Sequence, residues 1–117
     1  MRRSPLLPKP APNRYDEPGA REFKTTRTGN CPVCGQRGTL LRHHVISERD
    51  VRIAKGNPWS LANSMWIGVY CRERCHRRHH SHFRKIPLAL VPAEAVEFAV
   101  ELLGAEQAAD YLARHYR

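Results

Sequence analysis

CRERCHRRHHSH, from Cys71 to His82, and LRHHVIS, from Leu41 to Ser47, decide how the rest of the chain is read. Together with GNCPVCGQRG, around Cys31 and Cys34, they hold all four cysteines and six of the seven histidines. Soft metal ligands at that density, set among arginines, point to two separate metal centres facing a polyanion.

Cys31 and Cys34 stand three residues apart around a tight turn, where Gly35 can take the positive φ that lets backbone amides face the sulfurs. With Cys71 and Cys75 they form a four-thiolate set suited to tetrahedral zinc. The second pair is spaced C-x3-C, which leaves room for a nearby histidine to replace one sulfur. Two disulfides are the competing use of four cysteines. The start MRRSPLLPKPAP, however, lacks the apolar stretch of a signal peptide, and no run approaches a membrane span. We therefore expect reduced thiols, a cytoplasmic setting and structural Zn2+. A chain of 117 residues with 9 prolines and 7 glycines has room for one small core, which a structural metal would staple.

The histidines ask for a second site. At about 100° per residue on a helix, His76 and His80 lie about 40° apart, a chelating i, i+4 pair. Cys75 is turned about 100° from His76, so two metals can use different sides of one helix. His79 falls between those directions and could serve either metal, and His82 reads as a surface or phosphate contact. Thr39 to Ile46 is β-compatible, which sends His43 and His44 to opposite faces of a strand. His43 can then complete a three-histidine site, leaving His44 to take a proton from water.

Residues 1–24, rich in Pro, Arg and Lys, read as a flexible basic arm. Ser47 to Asn57 predicts a short helix with Ser47 as its N-cap, stopped by Gly56 and Pro58. Ser64 to Tyr70 predicts a second strand, and Arg72 to Arg84 a helix ended before Pro87. Beyond Pro92, apolar residues recur at helical spacing with an interruption at Gly104: one broken helix or two short ones, packing on the domain or on a partner. The net charge of +9 is uneven. From Arg27 to Lys85 there are 12 Lys or Arg against 3 Asp or Glu, whereas residues 86–117 carry 2 against 5. The metal-rich segment is thus also the basic one, which favours phosphate contact.

The order CPVC, RHHV, an Asn, then CRERCHRRHH resembles the HNH endonucleases, over about residues 29–84. The resemblance implies a small α+β fold: a zinc-stapled ββα-metal, treble-clef core over residues 25–86, between the arm and a C-terminal helical extension over 87–117. It implies His44 as general base, and one catalytic divalent ion (Mn2+, Ni2+, Mg2+ or Zn2+) on His43, His76 and His80. An all-imidazole set leans toward the transition metals. The family's central Asn, which braces the loop between strands, falls on Asn63, although the interval from Asn63 to His76 is longer than the usual one, and Asn57 is a poorer stand-in. DNA hydrolysis to 5′-phosphate and 3′-hydroxyl ends would follow, with DNA the expected partner and RNA the alternative one. Arg42, Arg72, Arg74, Arg77, Arg78, Arg84 and Lys85 are the candidate backbone clamps. Such domains are common in bacteriophages and bacteria, so the host cytoplasm and recruitment by a larger DNA-processing complex belong to the same expectation. The alternatives are a non-catalytic zinc-ribbon nucleic-acid-binding module and an assembly protein using its C-terminal helix.

Overall fold

A computed structural model describes residues 17–117 of the chain. Three antiparallel strands, β1 (Thr26–Asn30), β2 (Arg37–His44) and β3 (Ser64–Gly68), lie in the order β1-β2-β3. β2 and β3 answer to the two expected strands. In their register His43 faces Met65 and His44 faces Ser64. β1 has no counterpart in the sequence reading, because TRTGN offers no apolar alternation and stays largely exposed. It forms as an edge strand on β2, from Thr26↔Leu41 to Asn30↔Arg37.

Most of residues 1–24, the expected flexible arm, lies outside the described residues, but its last part is folded. A single turn, α1 (Ala20–Phe23), inserts Phe23 against Trp59, with ring centroids 5.7 Å apart, and Ala20 completes that small cluster. α2 (Glu48–Ile53) starts as expected at Ser47, whose Oγ accepts the Asp50 N–H at 3.1 Å.

The helix expected over 72–84 is shorter: α3 spans Cys75–His80. Arg74 before it takes φ 49°, and His82 after it takes φ 61°. At the C-terminal end His82 N–H reaches the His79 carbonyl at 3.0 Å and Phe83 N–H reaches that of Arg78 at 3.1 Å, a double closure of the last turn. At the N-terminal end the chain must bend so that Cys71 and Cys75 face one point.

α4 (Ala93–Leu103) and α5 (Ala105–His115) meet at Gly104, whose φ of 87° breaks the helix that the sequence left as one or two. Ala95, Ala99, Ala108, Tyr111, Leu112 and Tyr116 share one core with Leu40, Val45, Ile46, Val51 and Ile67. Of the two roles read for this segment, packing on the domain is the one observed. Among the described residues no helix is long and apolar enough to cross a membrane.

Candidate metal centres

Cys31 follows β1 directly, and its carbonyl accepts the Gly35 N–H at 2.7 Å while Gly35 sits at φ 81°. The turn therefore forms as its glycine requires, and brings Cys34 beside Cys31. On the other side, Arg74 N–H closes on the Cys71 carbonyl at 2.8 Å, and Cys75 N–H points at Cys71 Sγ, 3.4 Å away. The left-handed Arg74 thus absorbs the extra residue of C-x3-C, and no histidine is needed in the set. All four thiols are free of disulfides, and their sulfurs lie within 4.8 Å of one another. A tetrahedron with Zn–S bonds of about 2.3 Å has edges of roughly 3.8 Å, so this group can close on one zinc ion with small movements. Gly68 makes room for it: a Cβ there would sit 3.2 Å from Sγ of both Cys31 and Cys71.

Burial, then hydrogen bonding to the other three sulfurs, pushes the Cys75 thiol far above its ordinary value. Burial acts the same way on Cys31, but backbone hydrogen bonds, first with Cys34, bring it below its ordinary value. Four thiolates can coexist here only around positive charge.

The second group forms across the sheet. His43 at the end of β2 faces α3, with ring centroids 5.2 Å from both His76 and His80. One ring nitrogen from each of the three lies within 4.8 Å of the other two. Nε2 of His76 and Nε2 of His80 are 2.8 Å apart, a spacing at which two imidazoles share a proton or a cation. His43 is 2% exposed, and its Nδ1 has no hydrogen-bond partner. Its Nε2 lies 2.9 Å from the hydroxyl of Tyr116. Burial, then the neighbouring His76, His79 and His80, holds His43 well below the usual imidazole range. The same causes in kind bring His76 to about 4. A neutral, buried, unpartnered imidazole nitrogen is the state a metal ligand needs.

His79 joins neither group. Its Nδ1 accepts the Ile86 N–H at 3.0 Å, and its ring lies on Tyr116 with centroids 4.8 Å apart. It ties the segment after α3 to the core. His82 is exposed, on the rim of the cleft described below.

His44 leaves the strand on the opposite side, stacked on Phe23 at 4.1 Å and edge-on to Trp59 at 5.4 Å. The main chain at Pro58 lies near the His44 ring and partly favours its charged form. Nε2 of His44 is buried and has no hydrogen-bond partner. Burial first, then the charge of Lys24, brings His44 to about 4. His43, His44, His76 and His80 line one open cleft of about 540 Å³.

Asn63 is fully buried and braces the main chain. Its Oδ1 accepts the Ile46 N–H at 2.8 Å and its Nδ2 donates to the Ile46 carbonyl at 2.9 Å. The main chain just beyond His43 and His44 is thereby pinned to the start of β3. Asn57 instead holds its own turn, accepting the Trp59 N–H at 3.0 Å.

The basic residues divide. Arg72, Arg74, Arg77 and Arg84 are exposed. Arg78 pairs with Glu73 at 2.8 Å, and Lys85 donates to the Arg114 carbonyl at 2.6 Å. Arg42, expected as a phosphate clamp, is engaged within the fold: it donates to the Glu22 carbonyl and to Thr25 Oγ1, and lies over the Trp66 ring.

Three contributors escaped the sequence reading. Phe23 and Trp59 enclose His44, and Tyr116 touches His43 across 73 positions of sequence. No local pattern marks any of them, since each acts through a contact made only on folding. Comparison with protein-family models, with curated proteins and with solved structures found no match.

Proposed function

We propose that this chain is a metal-dependent DNA endonuclease of the HNH type, its ββα-metal, treble-clef core stapled by zinc on Cys31, Cys34, Cys71 and Cys75. The observation that carries the reading is one cleft lined by His44 in which His43, His76 and His80 converge, with Nε2 of His44 free of any hydrogen-bond partner. These are the residues to which the sequence resemblance assigns ion and base.

A divalent ion on His43, His76 and His80 would supply Lewis-acid stabilisation of charge on the phosphate and on the departing oxygen. Imidazole donors favour Mn2+, Ni2+ or Zn2+ over Mg2+. His44 takes a proton from water onto Nε2 as the water oxygen bonds to phosphorus, and the bond from phosphorus to the 3′ oxygen breaks. The products are a 5′-phosphate and, after protonation by solvent, a 3′-hydroxyl. Phe23 and Trp59 hold the ring plane. Burial weakens His44 as a base, and an anionic phosphodiester beside it would favour the imidazolium and offset that penalty. Exposed Arg72, Arg74, Arg77 and Arg84 would hold the backbone by charge, without reading bases.

The test is nicking of supercoiled plasmid with added Mn2+, Ni2+ or Mg2+, beside His44→Ala. We expect nicking in the wild type and a loss of roughly 10²- to 10⁴-fold in the variant. Equal rates in the two proteins, or no cleavage with any ion, would remove the enzyme and leave a zinc-stapled binding module.

A further inference from the structure

Tyr116 belongs to the segment that the sequence reading treated as an appendage to the site. It follows α5 directly, is 3% exposed, and is fastened on both sides. Its own N–H bonds the Leu112 carbonyl at 2.9 Å. The next residue, Arg117, donates its N–H to the Ile86 carbonyl at 3.1 Å, and its carbonyl accepts the Leu88 N–H at 2.7 Å. Arg117 Nε also reaches the Lys85 carbonyl at 2.9 Å. The Tyr116 ring lies on His79, whose Nδ1 is itself occupied by Ile86 N–H. The phenol is therefore held from its backbone and from its face, and its hydroxyl has little freedom to move.

That hydroxyl has one proton and two neighbours. Val45 offers a carbonyl at 2.7 Å, which can only accept. The Tyr116 proton is thus committed to Val45. Nε2 of His43, 2.9 Å from the same oxygen, must then be the donor. A neutral imidazole has one N–H, so Nδ1 of His43 carries the lone pair. This is the buried nitrogen without any partner, in the residue whose ring faces His76 and His80.

We infer that Tyr116 is a positioning residue that locks His43 in its Nε2–H tautomer and so aims Nδ1 at the ion shared with His76 and His80. The inference rests on the three-histidine ion site proposed above, but the tautomer can be read without it. Ligating histidines commonly donate their second N–H to a fixed acceptor, and losing that acceptor typically weakens metal binding 10- to 100-fold. Here the acceptor is a phenol relayed to a main-chain carbonyl. It is delivered by a helix pair that contributes none of the proposed ligands, so α4 and α5 belong to the working site as well as to the core.

The experiment uses the full chain with zinc on its cysteines, labelled with 15N, as wild type and as Tyr116→Phe. Long-range 15N–1H correlation in the absence of any second metal reports which ring nitrogen of His43 carries the proton. We expect the Nε2–H form in the wild type, and a shift toward Nδ1–H in Tyr116→Phe, which keeps the ring and its packing. Titration with Ni2+ should then show the variant binding about 10- to 100-fold more weakly. A wild-type His43 in the Nδ1–H form overturns the inference whether or not the variant folds. So does a folded Tyr116→Phe with an unchanged tautomer and unchanged Ni2+ affinity. Failure of the wild type to bind Ni2+ at all, with the Nε2–H tautomer present, would instead remove the proposed ion site and leave the positioning contact standing.

Discussion

Gly68→Ala places a methyl group against the four-cysteine cluster, and the distances set its effect. The new Cβ would meet Cys31 Cβ at 3.0 Å and Sγ of Cys31 and Cys71 at 3.2 Å each. Favourable carbon contacts begin near 3.5 Å, and sulfur is larger, so each neighbour must yield by a few tenths of an ångström. The yielding atoms are not free ends of flexible chains. Cys31 is fixed by the turn at Gly35, and Cys71 by the N–H groups of Arg74 and Cys75. Overpacking of this kind costs about 1–3 kcal/mol. Against it stands the gain from removing a glycine from a strand, about 0.4–1 kcal/mol, since Gly68 does not need positive φ. The crowding wins, leaving a net loss of roughly 1–2 kcal/mol. For a domain near this size that lowers Tm by about 5–10 °C. If the strain falls on the sulfurs, about 1.4 kcal/mol appears as tenfold weaker zinc binding. The assays are thermal melting and zinc transfer to a competing chelator. Gly38→Ala is the control: Gly38 lies on β2 in the same sheet, has open space around its Cβ position, and should be neutral or slightly stabilising. A Gly68→Ala chain that melts at or above the Gly38→Ala chain and keeps zinc equally well would refute the packing argument.

Two further outcomes test the scaffold. Asn63→Ala leaves the Ile46 N–H and carbonyl buried without partners, at about 1–3 kcal/mol each, so the urea midpoint should fall far enough to show a loss above about 2 kcal/mol. A loss under about 1 kcal/mol would mean the brace is dispensable. Asp50 joins α2 to α5 by accepting from Ser47 Oγ at 2.7 Å and from the Tyr111 hydroxyl at 3.0 Å. The Ser47 hydroxyl, with that of Tyr111, holds its carboxyl below the usual range against opposition from burial. Because the folded form binds its proton at lower pH than the unfolded form, this stabilisation is complete above about pH 4 and is lost as pH falls through the folded value. The stability gap between wild type and Asp50→Asn, about 1 kcal/mol at neutral pH, should therefore shrink in acid; urea midpoints that stay parallel down to the acid limit contradict it.

The strand at Met65–Ile67 was legible because it buries alternate apolar residues, the one at His43–His44 because its residue types suit a strand although its buried positions, Leu40 and His43, fall on opposite faces, and α2 because Ser47 is a strong cap. β1 was not, because an exposed edge strand draws its pairing from its neighbour and carries no apolar signature. α3 was read too long because helix propensity takes no account of two cysteines that must converge. Arg42 looked like its fellow cations in sequence, and only the approach of α1 and Trp66 gave its guanidinium partners within the protein.

Ligand chemistry and periodicity, properties of neighbouring residues, were enough to sort the cysteines from the histidines and to pair His76 with His80 on one helical face. Folding then settled everything that depends on distant segments meeting: His79 bound to Ile86 and out of both clusters, His44 enclosed by Phe23 and Trp59, and His43 held by Tyr116. The physical reason is that a side chain's type and phase are local, whereas the proton on an imidazole goes to whichever ring nitrogen finds an acceptor, and that acceptor lies wherever packing brings it.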